Sequence, residues 1–254
     1  MADTTAWIQA VRSSFDRFSG ILRPLSSAQV ETRSYAEDWS IADTASHLGS
    51  QAEIFGLFLD AGLAGAPAPG GDAFPPIWDR WNAADPTEQV RRSVDANEAF
   101  VARIEELSEG QRDDFALAAF GRDLDLSGLL SMRLAELAVH TWDIAVALDP
   151  SATVSADAVD LLVDELPATV VRAGQVTDDL EPVDVVTTDP ARTFALDPRD
   201  QVTLQPTAAA GPDPLVLPAE ALLRLVYGRL DPGHTPSGLD DPRLAGLRAV
   251  FPGF

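Results

Sequence analysis

Two histidines and one glutamate stand at spacings that could hold a metal ion. Glu136 and His140 are four residues apart, so on a helix their side chains lie on one face. His47 lies in an earlier segment with a helical pattern, and the chain contains only 3 histidines. Three nitrogen and oxygen ligands leave one position open on Zn²⁺, which is typical of catalytic rather than structural sites. We therefore expect His47, Glu136 and His140 to bind a catalytic divalent metal.

The same spacing also has a simpler interpretation. A glutamate four residues before a histidine often arises by chance, and histidines in helices usually satisfy hydrogen bonds in a core. Leu137 and Ile144 flank the pair and indicate that this face points inward, where an ionised glutamate is costly unless something pairs with it. A cation would pair with it, so the spacing alone leaves both interpretations open. His234 lies in the turn-rich segment 231–236 and is expected to be a solvated loop residue.

The residue types that the chain lacks restrict its chemistry. None of the 254 residues is cysteine, and all 18 basic residues are arginines. The protein therefore has no thiol nucleophile and no lysine amine of its own. Its formal net charge of -22 disfavours nucleic acid and anionic membranes as partners.

Four helices are expected to position the candidate ligands. Apolar residues recur at helical spacing from Trp7 to Leu22, and Ser40 with Asp43 predicts the start of a helix that runs to about residue 64. Trp39 stands where a hydrophobic staple would lie. Further helices are predicted at about 87–107 and 126–148, and four such helices form a bundle.

A segment rich in glycine and proline separates the second and third predicted helices. This segment, residues 65–86, also carries Trp78 and Trp81. Its length and its two large aromatic side chains are equally consistent with a lid over a site and with a cap packed on the bundle.

The second half of the chain has a different pattern. A helix is predicted at 154–166 with Pro167 as its stop, followed by short strands near 183–186, 193–196, 201–204 and 215–217. A last helix, 218–227, would end at Gly228. The sequence thus predicts an α+β protein with a bundle domain at 1–150 and a small α+β domain at 151–254.

The compartment is expected to be the cytoplasm. The first five residues lack the basic start and apolar run of a secretory signal. No stretch of the sequence is long and apolar enough to span a bilayer.

Two sequence motifs resemble those of a known family. Residues 39–48 resemble the Trp-[Ser/Thr]-x-x-Asp-x-x-x-His-Leu signature of the DinB-like metalloenzyme superfamily. Residues 133–143 resemble the Arg-x-x-Glu-x-x-x-His-x-Trp-Asp signature of its mycothiol-dependent maleylpyruvate isomerase branch, and residues 222–230 resemble a helix end of that branch's C-terminal domain. The resemblance implies a DinB-like four-helix bundle followed by a small α+β domain.

The resemblance also implies an activity and roles for individual residues. The family's metal ligands correspond to His47, Glu136 and His140, and the glutamate favours the thiol-dependent branch. The family uses an arginine of the C-terminal domain in catalysis, for which Arg229 is the first candidate and Arg224 the second. The implied metal is Zn²⁺ first, with Ni²⁺ or Co²⁺ also compatible with the ligands. The implied cosubstrate is mycothiol, which would attack a small electrophile in an isomerisation or a thiol transfer.

Two other functions remain open from the sequence. The same ligands could support hydrolysis by a metal-bound water without any thiol. Alternatively, the bundle could keep a metal without catalysing a reaction.

Overall fold

The computed structural model describes residues 3–36 and 38–253. Met1 and Ala2 are among the first five residues, on which the prediction of no secretory signal was based, and they lie outside the described residues. The chain divides into two compact units, residues 1–152 and 153–254. The fold is α+β, as predicted, because a largely helical region through residue 173 precedes a four-stranded mixed sheet with further helices.

Four long helices form the first unit as a bundle. They are α1 (Thr4–Leu22), α3 (Ile41–Ala64), α5 (Pro86–Glu105) and α7 (Leu126–Leu148). The shorter helices between them are α2 (Ser27–Val30), α4 (Pro75–Asn82) and α6 (Glu109–Asp113). Helices α1 and α3 each pack against both α5 and α7. The predicted helices are confirmed, and the bounds of α7 agree with the prediction at both ends.

The start of α3 is fixed by the predicted capping residues. The Ser40 side chain accepts a hydrogen bond from the backbone of Asp43, whose carboxylate in turn accepts one from the backbone of Ser40. This reciprocal pair satisfies two backbone donors that a helix start leaves unpaired. Helix α3 therefore begins at Ile41, which sets the position of His47 along it.

The segment rich in glycine and proline, residues 65–86, contains a helix that was not predicted from the sequence. Pro75 and Pro76 occupy the first turn of α4, where a proline sacrifices no helical hydrogen bond. Trp81 of this helix is buried against Gly49 of α3, where a Cβ atom would come within 2.3 Å of the indole ring. The close approach of glycine backbone and ring anchors α4 on the bundle, so the cap interpretation holds for Trp81.

A small hairpin precedes α7. Strands β1 (Leu117–Ala119) and β2 (Arg122–Leu124) pair antiparallel, and Phe120 with Gly121 forms the turn between them. Each strand has 3 residues, which is too short for an alternating pattern to show in the sequence. The hairpin was therefore not predicted.

In its described residues, the second unit combines a mixed sheet with four α-helices. The strands are β3 (Val183–Thr188), β4 (Arg192–Asp197), β5 (Thr203–Pro206) and β6 (Leu215–Pro218), in the order β5-β4-β3-β6. Strand β6 runs parallel to β3, and the other pairs are antiparallel. The helices are α8 (Ala156–Leu162), α9 (Leu166–Ala173), α10 (Ala219–Val226) and α11 (Arg243–Val250).

One proline and one glycine of this unit were interpreted with different success. Pro167 was expected to end a helix, but this prediction is wrong. It lies in the first turn of α9, the position in a helix that best tolerates proline. Gly228 follows α10 with a φ of +72°, as its predicted role at a helix end requires. Within the described part of the chain, no helix has the length and apolar character needed to cross a bilayer.

Candidate metal centre

The three predicted ligands converge, although they come from two different helices. His47 on α3 and Glu136 on α7 are joined by a contact of 3.0 Å between Nε2 and Oε2. Nε2 of His140 lies 3.8 Å from the same carboxylate oxygen, and the ligand atoms of all three residues lie within 4.8 Å of one another. Ligands that bind Zn²⁺ at about 2.0–2.1 Å in tetrahedral geometry stand roughly 3.3 Å apart. The observed spacing and the donor set therefore fit a divalent metal.

The charge states of two ligands are set for metal binding at neutral pH. Burial lowers the pKa of His47, although its hydrogen bond with Glu136 acts in the opposite direction. Burial tends to raise the pKa of Glu136, but the hydrogen bond with His47 and the nearby His140 and Arg133 outweigh it and lower this pKa to about 2. At neutral pH, His47 is thus neutral and Glu136 ionised, the forms in which these side chains bind metals.

Asp143 and Trp39 hold the imidazoles in place. Nδ1 of His140 donates to the fully buried Asp143 carboxylate over 2.8 Å, which leaves Nε2 free to face Glu136 and a metal. The Trp39 ring lies 5.1 Å from the His47 ring and 6.0 Å from the His140 ring, between ring centres. The side chain that was expected to act as a hydrophobic staple therefore also covers the two imidazoles.

Replacing Asp143 by asparagine tests this orienting role. The Asp143→Asn side chain has nearly the same shape but no charge to fix the protonated nitrogen of His140, so we expect zinc affinity to fall about 10- to 100-fold. The measurement is zinc titration against a competing chelator. Asp149→Asn, at an exposed carboxylate just after α7, is the matched control and should leave the affinity unchanged. Equal affinity in the two variants would show that Asp143 does not orient the ligand.

Arg133 is a part of the centre whose role the sequence analysis did not assign. It lies one turn before Glu136, is fully buried, and donates to the Leu48 carbonyl and the Asn97 side chain. Its Nε and Nη1 have no hydrogen-bond partner among the described residues. Burial lowers the pKa of Arg133 to about 10, against the raising effect of Glu136. Two sequence signals pointed to it, its position on the apolar face of α7 and its place as the first residue of the signature at 133–143.

Glu136 lies at the edge of the core rather than inside it, contrary to the expectation of a carboxylate enclosed by apolar side chains. Its side chain is 36% exposed and lines a cavity of about 230 Å³ in the first unit. We call this space the aromatic cavity, because most of its wall is formed by Phe55, Phe58, Phe74, Trp78 and Phe120 beside Glu136. Trp78 thus faces a space next to the candidate centre, whereas Trp81 packs on the bundle.

The remaining predicted residues belong to the second unit. Arg224 donates to the Glu220 carboxylate and to the carbonyls of Arg229 and His234, contacts that tie the end of α10 to the chain that follows it. Arg229 is largely buried and donates to the Tyr227 carbonyl. Catalytic roles for Arg229 and Arg224 stay predictions. His234 is hydrogen-bonded to Asp231 and is only partly exposed, so it is not a fully solvated loop residue.

Comparisons with known proteins identify a family and a shared fold. Residues 11–145 match the family described as the mycothiol maleylpyruvate isomerase N-terminal domain. The crystal structure of the mycothiol-dependent maleylpyruvate isomerase is similar over 95% of both chains, with a TM-score of 0.68 and 18% identity. A variant of that isomerase with one histidine replaced by alanine gives a TM-score of 0.68 and 17% identity, again over 95% of both chains.

A further solved structure is more distant. YfiT from Bacillus subtilis, described as a probable metal-dependent hydrolase with an unusual four-helix bundle topology, has a TM-score of 0.43 and 15% identity. The similarity covers 57% of this chain and 86% of YfiT. No curated protein matches the sequence. The similarity to the solved isomerase establishes a shared fold.

Proposed function

Because the chain belongs to the family of the mycothiol maleylpyruvate isomerase N-terminal domain, we propose that it is a metal- and thiol-dependent enzyme acting on a small electrophile. The observation that carries this proposal is the convergence of His47, Glu136 and His140 at the edge of the bundle core. The proposed cofactors are a divalent metal, Zn²⁺ first, and mycothiol as the thiol cosubstrate. The reaction is an isomerisation or an S-transfer.

The side chains of the centre have distinct tasks in such a reaction. His47, Glu136 and His140 would hold the ion, and Asp143 would keep the His140 ring in the orientation that presents Nε2. A divalent ion held there would lower the pKa of a thiol that reaches it. The thiol must come from outside, because the chain contains no cysteine. The exposed part of Glu136 borders the aromatic cavity, which gives a second small molecule access to the ligands.

An arginine of the second unit completes the proposal. Arg229 is the first candidate for a residue that holds a carboxylate of the substrate, since a guanidinium can pair with a carboxylate through two parallel hydrogen bonds. Arg224 is the second candidate, although most of its donors already serve Glu220 and backbone carbonyls.

Thiol dependence is the decisive experiment for this function. The zinc-loaded protein is incubated with maleylpyruvate or another small electrophile, with and without mycothiol, and substrate and free thiol are both followed. We expect turnover only when thiol is present. An isomerase returns the thiol unchanged, whereas an S-transferase consumes one thiol for each product molecule. Equal turnover without thiol would instead indicate a hydrolase, and no turnover under any of these conditions would favour a non-catalytic metal protein.

A further inference from the structure

The aromatic cavity beside Glu136 has walls of unusual composition for a site that would bind a small polar acid. Its lining consists of five aromatic side chains, Ile54, Met132, Gln51 and Glu136. None of the described residues that line it is basic. The faces of aromatic rings are electron-rich, so these walls disfavour an anion and favour a neutral apolar group.

The rings of the cavity are arranged to receive another ring. Phe58 meets Phe74 and Phe120 edge to face, with its ring centre 5.8 Å and 5.3 Å from theirs. Phe74 in turn contacts Trp78 at 6.0 Å. Trp78 is 40% exposed and Phe120 is 59% exposed, so their apolar surfaces are available to a ligand. Edge-to-face and offset contacts of this kind are the preferred geometry between aromatic rings.

The backbone at Phe120 adopts an uncommon conformation, although its side chain is largely exposed. Phe120 and Gly121 form a two-residue hairpin turn with φ values of +54° and +75°. Asparagine or aspartate before glycine is the preferred pair in such a turn, and a bulky residue with positive φ is uncommon. The phenyl ring packs against Phe58 on one side but is 59% exposed, so packing offsets only part of this cost. Strain of this kind concentrates where a ligand is bound.

We propose that the aromatic cavity binds a neutral single-ring aromatic part of the electrophile, next to the metal ligands. This inference rests on the proposed function, because it names the substrate class of the same site. An apolar cavity of about 150 Å³ is enough to take up benzene, so about 230 Å³ holds one ring with short substituents. Phe120 then serves as a specificity-determining side chain held in place by the strained turn.

Binding of a fluorinated ring to the full-length protein tests this proposal without using the thiol reaction. The probe is 4-fluorobenzyl alcohol, followed by fluorine NMR with zinc-loaded and with chelator-treated protein, and 2,2-difluorosuccinate is the polar comparison. We expect the neutral ring to bind in both states and the diacid to leave it in place. If the ring does not bind, or if the diacid displaces it, the inference is wrong.

One substitution separates a ligand role of Phe120 from a structural one. Phe120→Asn places in the turn a residue that tolerates positive φ, so the unfolding temperature should stay the same or rise. Affinity for the ring should nevertheless fall about 3- to 10-fold, since one aromatic contact is lost. Leu148→Asn removes another exposed apolar side chain, one that does not line the cavity, and is the matched control. Unchanged ring affinity in Phe120→Asn would overturn the proposal.

The outcome also distinguishes this inference from the proposed function. If thiol-dependent turnover exists, 4-fluorobenzyl alcohol should inhibit it competitively against the electrophile and not against the thiol. Ring binding without thiol-dependent turnover overturns the proposed function and leaves the cavity as a binding site for aromatic compounds. Thiol-dependent turnover that the ring does not inhibit overturns the inference and leaves the proposed function intact.

Discussion

His140→Ala is expected to lose its zinc and, with it, the thiol-dependent activity. Four-ligand zinc sites bind their metal with roughly 10–16 kcal/mol, which is about 2.5–4 kcal/mol per ligand, so the affinity should fall about 50- to 1,000-fold. His47→Ala should behave in the same way, because the two imidazoles face the same carboxylate from different helices. Elemental analysis of the purified proteins measures the effect as metal bound per chain.

The third histidine is the matched control. His234 belongs to the second unit and hydrogen-bonds to Asp231 instead of joining the cluster. His234→Ala should therefore retain the metal content of the unsubstituted protein. Circular dichroism and unfolding temperatures of the three variants show whether the bundle persists. Normal metal content in folded His47→Ala and His140→Ala would refute the ligand assignment.

The sequence was sufficient for the bundle because its signals are local. Ser40 and Asp43 form their capping box within one helical turn, and the apolar repeat of α1 needs no information from other helices. The proximity of the candidate ligands could be predicted in part, since Glu136 and His140 share a helix face by spacing alone. His47 was a candidate because histidines are scarce and it lies in a helical pattern. The resemblance to a family assigned it to the same set, because no local rule states which faces of two helices meet.

The parts that could not be predicted depend on contacts between distant segments. Helix α4 looks like a loop in the sequence because its prolines occupy a first turn, and the fit of Trp81 against Gly49 shows only in three dimensions. The aromatic cavity likewise draws Phe58 and Phe120 from a helix and a hairpin far apart in the chain. Pro167 was misinterpreted because a proline that starts a helix and one that ends a helix look the same in a single sequence.

Arg133→Ala should destabilise the metal-free protein by about 3–5 kcal/mol, a large fraction of the stability of a typical domain. The substitution leaves a cavity between Phe55 and Phe100, whose rings lie 5.7 Å and 6.0 Å from the guanidinium carbon. It also removes the donor to Asn97 and a positive charge that stabilises the ionised form of Glu136. Urea unfolding with chelator present measures the loss, because bound metal would add its own stabilisation.

Arg133→Met separates the packing of this side chain from its charge. Methionine fills most of the volume but brings neither the cation nor the two donors that lack a partner, and well-packed apolar replacements of buried charges are often tolerated. We therefore expect it to cost about 1–2 kcal/mol, clearly less than alanine. Arg103→Ala, which breaks an exposed ion pair with Asp60, should cost at most about 1 kcal/mol.

The methionine variant also reports on the metal centre. If Arg133 mainly fills space, zinc affinity should be equal or higher in Arg133→Met, since a positive charge near a divalent ion has been removed. If the two variants were equally unstable and both lost zinc, the guanidinium itself would organise the site through Asn97 and the Leu48 carbonyl. That result would make Arg133 a positioning residue. It hydrogen-bonds to the backbone carbonyl of Leu48, the residue that directly follows His47.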